Sequence, residues 1–326
     1  MTRMTRRTLL AATAALALAS GAAAAQDWPS QPVHLVVGFP AGSSPDTLAR
    51  LIAEPLAERL GQPVIVENKP GAGGGIGVQT VAAATGGHTF GTTINGPLTT
   101  SPRLSPELGY NVAEDIAPVS LIATSPLVLG VNAETGPADL EAFIAAAAAG
   151  PEAIAYGSVG QGSGAHLTAE LFADAAGVEM LHVPYTAYAE VTTAIVGGEV
   201  DAGFMAPSAA QPLVEAGTMR ILGTTSPEPS PLAPDAPVLA GAAGLPADFS
   251  AELWNAFIAP AGTDPAVIER LNTEVNAILA DPAVAERLLG MGWKAEGGTP
   301  EELAARIEAD TALWGAVIDR IDAKAE

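Results

Sequence analysis

Val33-His-Leu-Val-Val-Gly-Phe-Pro-Ala-Gly-Ser-Ser-Pro-Asp-Thr-Leu-Ala-Arg50 reads as strand, glycine turn and helix. Val33, Leu35, Val36 and Val37 form an apolar run of strand length, too apolar to expose either face. Pro40, Ala41 and Gly42 break it. Ser44 then suits an N-cap and Pro45 the first helical position, where a missing N–H costs nothing. Leu48, Leu51, Ile52 and Leu56 follow at helical spacing. A helix N-terminus carries unpaired N–H groups and partial positive charge, so this turn offers a seat for one end of a small anion. The same residues also start a helix well with no ligand at all.

Outward from that unit, the pattern repeats. Val64-Ile-Val66 is a strand, Glu67 to Gly75 a glycine-rich loop, and Ile76, Val78, Val81 and Ala82 return to helical spacing. His88 to Ile94 is a third strand, ending at Asn95-Gly-Pro97. Strands alternating with helices predict a parallel α/β arrangement. Ligands of open α/β sheets bind at the carboxyl ends of strands, here Phe39–Ser44, Glu67–Gly75 and Thr93–Pro97. Residues 98–118 are turn-rich. Val119–Ala123 and Leu127–Val131 are extended and predict a crossing into a second lobe of the same pattern. There Ala153–Tyr156, Met180–Val183, Val200–Met205 and Arg220–Thr225 are strands, with helices over Ala138–Ala149, His166–Ala176 and Glu190–Val196. Residues 226–248 are proline-rich and loop-like. Leu253–Ala259 is a strand, and the remainder reads as three helices, Pro265–Leu279, Pro282–Met291 and Pro300–Ile321, each opened by a proline.

At 326 residues, with 48% hydrophobic and 15% charged, the chain has material for about two domains and a sizeable core. It has no cysteine, which excludes disulfides, thiolate catalysis and cysteine-ligated zinc. Residues 1–25 read as an export signal: Arg3, Arg6 and Arg7, then the apolar Leu9–Ala19, then Ala23-Ala-Ala25 as the cleavage site. Thr5-Arg-Arg-Thr-Leu-Leu10 also fits a twin-arginine signal, so the Sec and twin-arginine routes both stay open. Both predict a periplasmic protein beginning at Gln26. Loss of those three arginines lowers the basic residues from 14 to 11 against 36 acidic ones, a balance of −25. Nucleic acid and anionic membrane surfaces are poor partners for such a chain.

No Lys or Arg lies between Arg103 and Arg220. A second lobe binding an anion must therefore use backbone N–H groups, hydroxyls and helix N-termini. Gly157-Ser-Val-Gly-Gln-Gly-Ser-Gly164 suits that, with close backbone approach at its glycines and donors at Ser158 and Ser163. It also mimics a dinucleotide fingerprint, but the following strand ends His182-Val-Pro184 with no acid for a ribose. No Gly-x-Ser-x-Gly elbow surrounds Ser158 or Ser163. His34, His88, His166 and His182 contain no i, i+4 pair, so no metal site and no cofactor are expected. Asp46 has Arg50 four residues on; a carboxylate beside an anion would repel it, so Asp46 is expected to orient the loop by hydrogen bonds. The four tryptophans read as packing residues.

In order along the chain, Trp28-Pro-Ser-Gln-Pro32, Pro40-Ala-Gly-Ser-Ser-Pro-Asp46, Leu60-Gly-Gln-Pro-Val-Ile-Val-Glu-Asn68 and Pro70-Gly-Ala-Gly-Gly-Gly-Ile-Gly77 are followed by Tyr110-Asn-Val-Ala-Glu-Asp115. Then come Tyr156-Gly-Ser158, His182-Val-Pro-Tyr185, Gly198-Glu-Val-Asp201 and Ala259-Pro-Ala-Gly-Thr263. Each is weak alone; the ordered set resembles the solute-binding receptors of tripartite tricarboxylate transporters, the Bug receptors. The resemblance implies a two-lobed, type II-like periplasmic-binding-protein fold. It divides the chain into residues 26–123 plus 252–326 as one lobe and 124–251 as the other. It also implies a non-enzymatic monomer that closes on a small di- or tricarboxylate, partly through ordered water, and delivers it to membrane transporter subunits. By position, Phe39, Ala41, Gly42, Ser43 and Asp46 match the family's first-lobe loop, and Thr93, Ile94 and Asn95 its third-strand end. Ser158, Gly162, Ser163 and His166 match its second-lobe loop.

Three positions depart from the pattern. Pro45 removes a hydroxyl, and Thr85-Gly-Gly-His88 replaces Pro-Asp-Gly-Tyr at what reads as an external turn. Met205 stands where these receptors often carry an Asp, which argues against a ligand with an amine and for a non-cationic carboxylate. A hinge is expected over Val119–Thr124 and Glu252–Phe257. An exported hydrolase or lyase on a two-lobed fold is the alternative from another class, and a sensor-associated binding protein would share the same site.

Overall fold

The computed structural model describes residues 28–321; the expected export signal and cleavage site lie outside them. The first lobe begins with β1 (Val33–Val37), α1 (Ser44–Leu60), β2 (Val64–Asn68), α2 (Gly75–Ala82) and β3 (Thr89–Ile94). Three short helices, α3 (Asn95–Thr99), α4 (Ser101–Leu104) and α5 (Val112–Asp115), fill the turn-rich stretch and lead into β4 (Ile116–Pro126). The second lobe runs β5 (Val128–Asn132), α6 (Leu140–Ala147), β6 (Ala155–Ser158), α7 (Gly164–Ala176), β7 (Leu181–Pro184), α8 (Tyr188–Gly197), β8 (Ala202–Met205), α9 (Pro207–Glu215) and β9 (Met219–Thr224). The chain then returns to the first lobe with β10 (Glu252–Pro260), α10 (Pro265–Leu279), α11 (Pro282–Gly290), β11 (Lys294–Gly297) and α12 (Pro300–Ile321).

The two sheets have orders β11-β4-β10-β3-β1-β2 and β7-β6-β8-β5-β9. Neither is purely parallel. β10 runs antiparallel between β3 and β4, and β5 antiparallel between β8 and β9. Both reversals follow from the double crossing: the chain leaves the first sheet through β4 and re-enters it from the opposite direction through β10. Residues 294–297, which fall between two of the expected helices, form an edge strand on β4. The run Pro207–Glu215, read as no element, is a helix despite Pro212.

α1 buries Leu48, Leu51, Ile52 and Leu56 on one face of the first sheet, against Leu35, Val37, Phe90 and Phe257. Removal of each such side chain from water contributes about 2 kcal/mol. The opposite face holds Val36, Val78, Val81, Trp254, Ala256 and Ile258, covered by α2 and α12. Period-two alternation along β10 therefore sends Trp254, Ala256 and Ile258 one way, and Leu253, Phe257 and Ala259 toward α1. The tryptophans pack as expected, and three satisfy their N–H groups: Trp254 donates to Asp310 at 2.6 Å, Trp293 to Ser44 Oγ at 2.8 Å and Trp28 to the Gly87 carbonyl at 2.8 Å, while Trp314 Nε1 is buried without a partner.

Three links join the lobes. β4 passes into β5 at Leu127. The return segment meets it at Thr225, whose N–H donates to the Leu127 carbonyl at 2.9 Å and whose Oγ1 accepts from the Leu127 N–H at 2.9 Å. The Thr225 hydroxyl also donates to the Ala251 carbonyl, and Ala251 N–H donates to the Thr225 carbonyl at 3.1 Å. The third link is α12, whose Trp314, Val317 and Ile318 pack on Leu167 of α7, while Arg320 donates to the Glu170 carbonyl at 2.7 Å. The stretches expected to be the hinge, Val119–Thr124 and Glu252–Phe257, are paired with each other inside the first sheet.

Candidate functional site

Two loops, each leading from a strand into a helix N-terminus, carry most of the candidate residues. In the first lobe, Gly38–Ser43 leaves β1 and enters α1. Gly42 has φ +81°, a left-handed conformation that favours glycine. The N-cap is Ser43 rather than the expected Ser44, and Ser43 makes no side-chain capping bond. Ser44 instead accepts from Trp293.

Asp46 is the organiser of this loop. It is 2% exposed. Its Oδ2 accepts from Gly42 N–H at 2.8 Å and Arg50 Nε at 3.0 Å; its Oδ1 accepts from Asn68 Nδ2 at 2.8 Å and an Arg50 Nη at 2.9 Å. Asn68 also donates to the Phe39 carbonyl at 2.9 Å, tying the loop to the end of β2. Burial pushes the Asp46 carboxyl up, but the hydrogen bonds from Arg50, Gly42 and Asn68 outweigh it and hold the group below the usual carboxylate range. Each Asp46 oxygen already accepts two hydrogen bonds, and Arg50 Nε and one Nη are engaged with Asp46 and Asn68.

The glycine-rich loop supports the same turn from the side. A Cβ on Gly38 would lie 2.3 Å from the Gly74 carbonyl oxygen, one on Gly77 2.4 Å from Gly38 Cα, and one on Gly74 2.5 Å from the Phe39 ring. These glycines let α2 approach the exit of β1 and seat Phe39. At the end of β3, Ile94 and Asn95 are half-buried at the start of α3. Thr93 is turned to the face opposite α1. Its neighbour Thr92, on the α1 face, was not singled out from sequence.

In the second lobe, Ser163 is the N-cap of α7 and accepts from His166 N–H at 3.3 Å. The helix starts at Gly164, two residues before the expected His166. Gly162 N–H donates to His166 Nδ1 at 3.0 Å, so it is not free for an anion, and a neutral His166 carries its proton on Nε2. Ser158 is fully buried; its Oγ accepts from Gly160 N–H at 3.2 Å and sits 2.7 Å from His182 Nε2. His166 and His182 stack with ring centres 4.1 Å apart, and Tyr156 stacks on His182 at 5.1 Å. Burial pushes both imidazoles down to about 4. Ser158 and His166 thus shape the loop from beneath. Gly164 and Ala165, in the first turn of α7, have no intrahelical acceptor for their N–H groups.

Met205, expected at the cleft, is fully buried. Alternation along β8 turns it into the core with Val128, Val191 and Met219, where it presents no surface to a ligand. The second-lobe loop meets the first lobe through its glycines: a Cβ on Gly164 would lie 2.8 Å from the Leu253 side chain, and one on Gly162 3.6 Å from Leu104. Among the described residues no group of three or more His, Cys, Asp or Glu is placed to hold a metal ion, and no helix is long and apolar enough to cross a membrane.

Two α/β lobes joined by two crossings of the chain, with the start of α7 packed against Leu253 of β10, define a two-lobed binding protein. Residues 48–323 match the tripartite tricarboxylate transporter family receptor, and the chain belongs to that family. It is 35% identical to the protein BugT of Bordetella pertussis, with 92% of each chain covered. An R. palustris protein solved with adipate is 33% identical, with a TM-score of 0.73, and covers 91% of this chain and 99% of its own. MatC from Rhodopseudomonas palustris, solved with bound malate, is 30% identical with a TM-score of 0.69, covering 89% and 100%. The family is one of solute-binding receptors rather than enzymes.

Proposed function

We propose that this protein is a periplasmic receptor that closes over a small, non-cationic carboxylate and presents the closed form to the membrane subunits of a tripartite transporter. Support comes from the family membership together with the loop chemistry: each lobe offers a strand–loop–helix turn, and the buried carboxylate of the first, Asp46, is already satisfied by Gly42, Arg50 and Asn68. Carboxylate oxygens accept from N–H groups of the first turns of α1 and α7, with Phe39, Ala41, Gly42 and Ser43 on one side, Ile94 and Asn95 on the floor, and Gly162 and Ser163 opposite. Adipate and malate, held by the two relatives, are the first ligands to try. The lobes comprise residues 26–123 plus 252–326 and 124–251, pivoting where Leu127, Thr225 and Ala251 meet. The receptor is a monomer, exported and cleaved near Ala25.

Thermal unfolding with a panel of mono-, di- and tricarboxylates tests this. A true ligand raises Tm with concentration as mass action requires, and is recovered intact by mass spectrometry. Turnover would instead favour an exported hydrolase or lyase. Tighter binding of aspartate or glutamate than of any dicarboxylate would overturn the non-cationic assignment.

A further inference from the structure

The loops that enter α1 and α7 are the same turn built twice. Gly42 and Gly162 have φ of +81° and +73°. Each is followed by a serine N-cap, Ser43 at φ −68°, ψ 162° and Ser163 at φ −66°, ψ 157°. Ser43 N–H donates to the Pro40 carbonyl and Ser163 N–H to the Gly160 carbonyl, both at 3.2 Å. The Ser43 and Ser163 carbonyls accept from Thr47 N–H and Leu167 N–H, both at 2.9 Å. In each turn the glycine N–H donates to the side chain of the third helical residue: Gly42 to Asp46 Oδ2 at 2.8 Å, Gly162 to His166 Nδ1 at 3.0 Å. Asp46 and His166 are both buried, at 2% and 5% exposure.

The two turns differ in charge. Asp46 is an anion, and Arg50, four residues on, balances it through two hydrogen bonds. The residue four after His166 is Glu170, which accepts from the Tyr156 hydroxyl at 2.6 Å. No Lys or Arg lies between Arg103 and Arg220. Arg320, which reaches α7 from α12, is engaged with Asp174 and the Glu170 carbonyl. A carboxylate at position 166 would therefore be buried with no cation to balance it. A neutral imidazole accepts the glycine N–H and adds no charge. Burial pushes His166 down to about 4, so it is neutral at pH 7, and the start of a helix further disfavours an imidazolium.

We infer that His166 is a positioning residue: its neutral imidazole does in the second lobe what the Asp46–Arg50 pair does in the first, holding the loop in shape for an anion without adding an unbalanced negative charge beside it. This rests on the carboxylate-receptor reading above. It gives His166 a role through Gly162 rather than through contact with the ligand.

Calorimetry at neutral pH on the processed, full-length protein tests it, with acetate, succinate, malate, adipate and citrate as probes and the tightest-bound of them carried through the variants. His166→Leu removes the acceptor and is expected to bind about tenfold or more weakly than the native protein. His166→Asn, whose Oδ1 can stand where Nδ1 stands, recovers most of that loss. His166→Asp keeps the shape and the acceptor of His166→Asn but carries a charge, and is expected to bind about tenfold or more weakly than His166→Asn. Amide exchange at Gly162 in the ligand-free protein reads the hydrogen bond itself: slow in the native protein, His166→Asn and His166→Asp, fast in His166→Leu. If His166→Leu does not fold, the Asn and Asp variants carry the test. Native affinity in His166→Leu, no recovery in His166→Asn, or equal affinity in His166→Asn and His166→Asp overturns the inference and leaves the receptor reading intact. No binding of any probe by the native protein overturns both.

Discussion

Asp46 shows at the scale of one residue how an acid organises the turn from β1 into α1. It accepts from a backbone N–H, an amide and a guanidinium, and these three would otherwise splay the turn. Asp46→Ala leaves all three without that acceptor. It is expected to lower stability by about 2–3 kcal/mol in urea unfolding and to weaken ligand-induced stabilisation. Asp46→Asn retains an acceptor and is expected to lose less. The stacked imidazoles of His166 and His182 carry a pH dependence whose sign is fixed by burial. The unfolded chain protonates them near 6.5, the folded chain only near 4. Between these values the unfolded state binds more protons, so their contribution is complete above about pH 6.5 and is lost as pH falls toward 4. A His182→Phe variant is expected to show a smaller drop in Tm from pH 7 to pH 5 than the native protein.

The glycines of the first two strand–helix units divide, at the scale of elements, into two kinds. Gly42 needs its positive φ but has open space where a Cβ would go, so Gly42→Ala is expected to cost about 1 kcal/mol. Gly38 and Gly77 face backbone, so alanine at either forces α2 away from β1 and is expected to cost more than about 2 kcal/mol. Urea midpoints of the three variants compare them directly. The strand–turn–helix units were legible because apolar period, glycine turn and proline start agreed. β11 was not: Lys294-Ala-Glu-Gly297 has no strand pattern and becomes a strand because the edge of β4 offers it partners. α9 was hidden by its prolines. The two candidate loops stood out in the sequence by their glycines and hydroxyls, but which of their groups remain free was not legible. Gly162 N–H is taken by His166.

The whole molecule turns on Thr225, which ties the two crossing segments to each other just beyond the sheets. Thr225→Val removes the acceptor for Leu127 N–H and the donor to Ala251 while keeping the shape. It is expected to lower stability by about 1–3 kcal/mol and to change the ligand-induced decrease in radius of gyration measured by X-ray scattering. The position of β10 has a further consequence, for the order in which the protein can be assembled. β10 is the strand that joins β3 to β4, and it lies about 130 residues after β4 in the chain. Until it is delivered, β1, β2 and β3 form a separate fragment with an open edge, and the floor between the two site loops does not exist. The second sheet draws only on residues 128–224 and can close first. A nascent chain threaded from its N-terminus therefore stays incompletely folded until nearly all of it has emerged, and a chain ending at Ala251 should retain protected amides in the second sheet but not in the first.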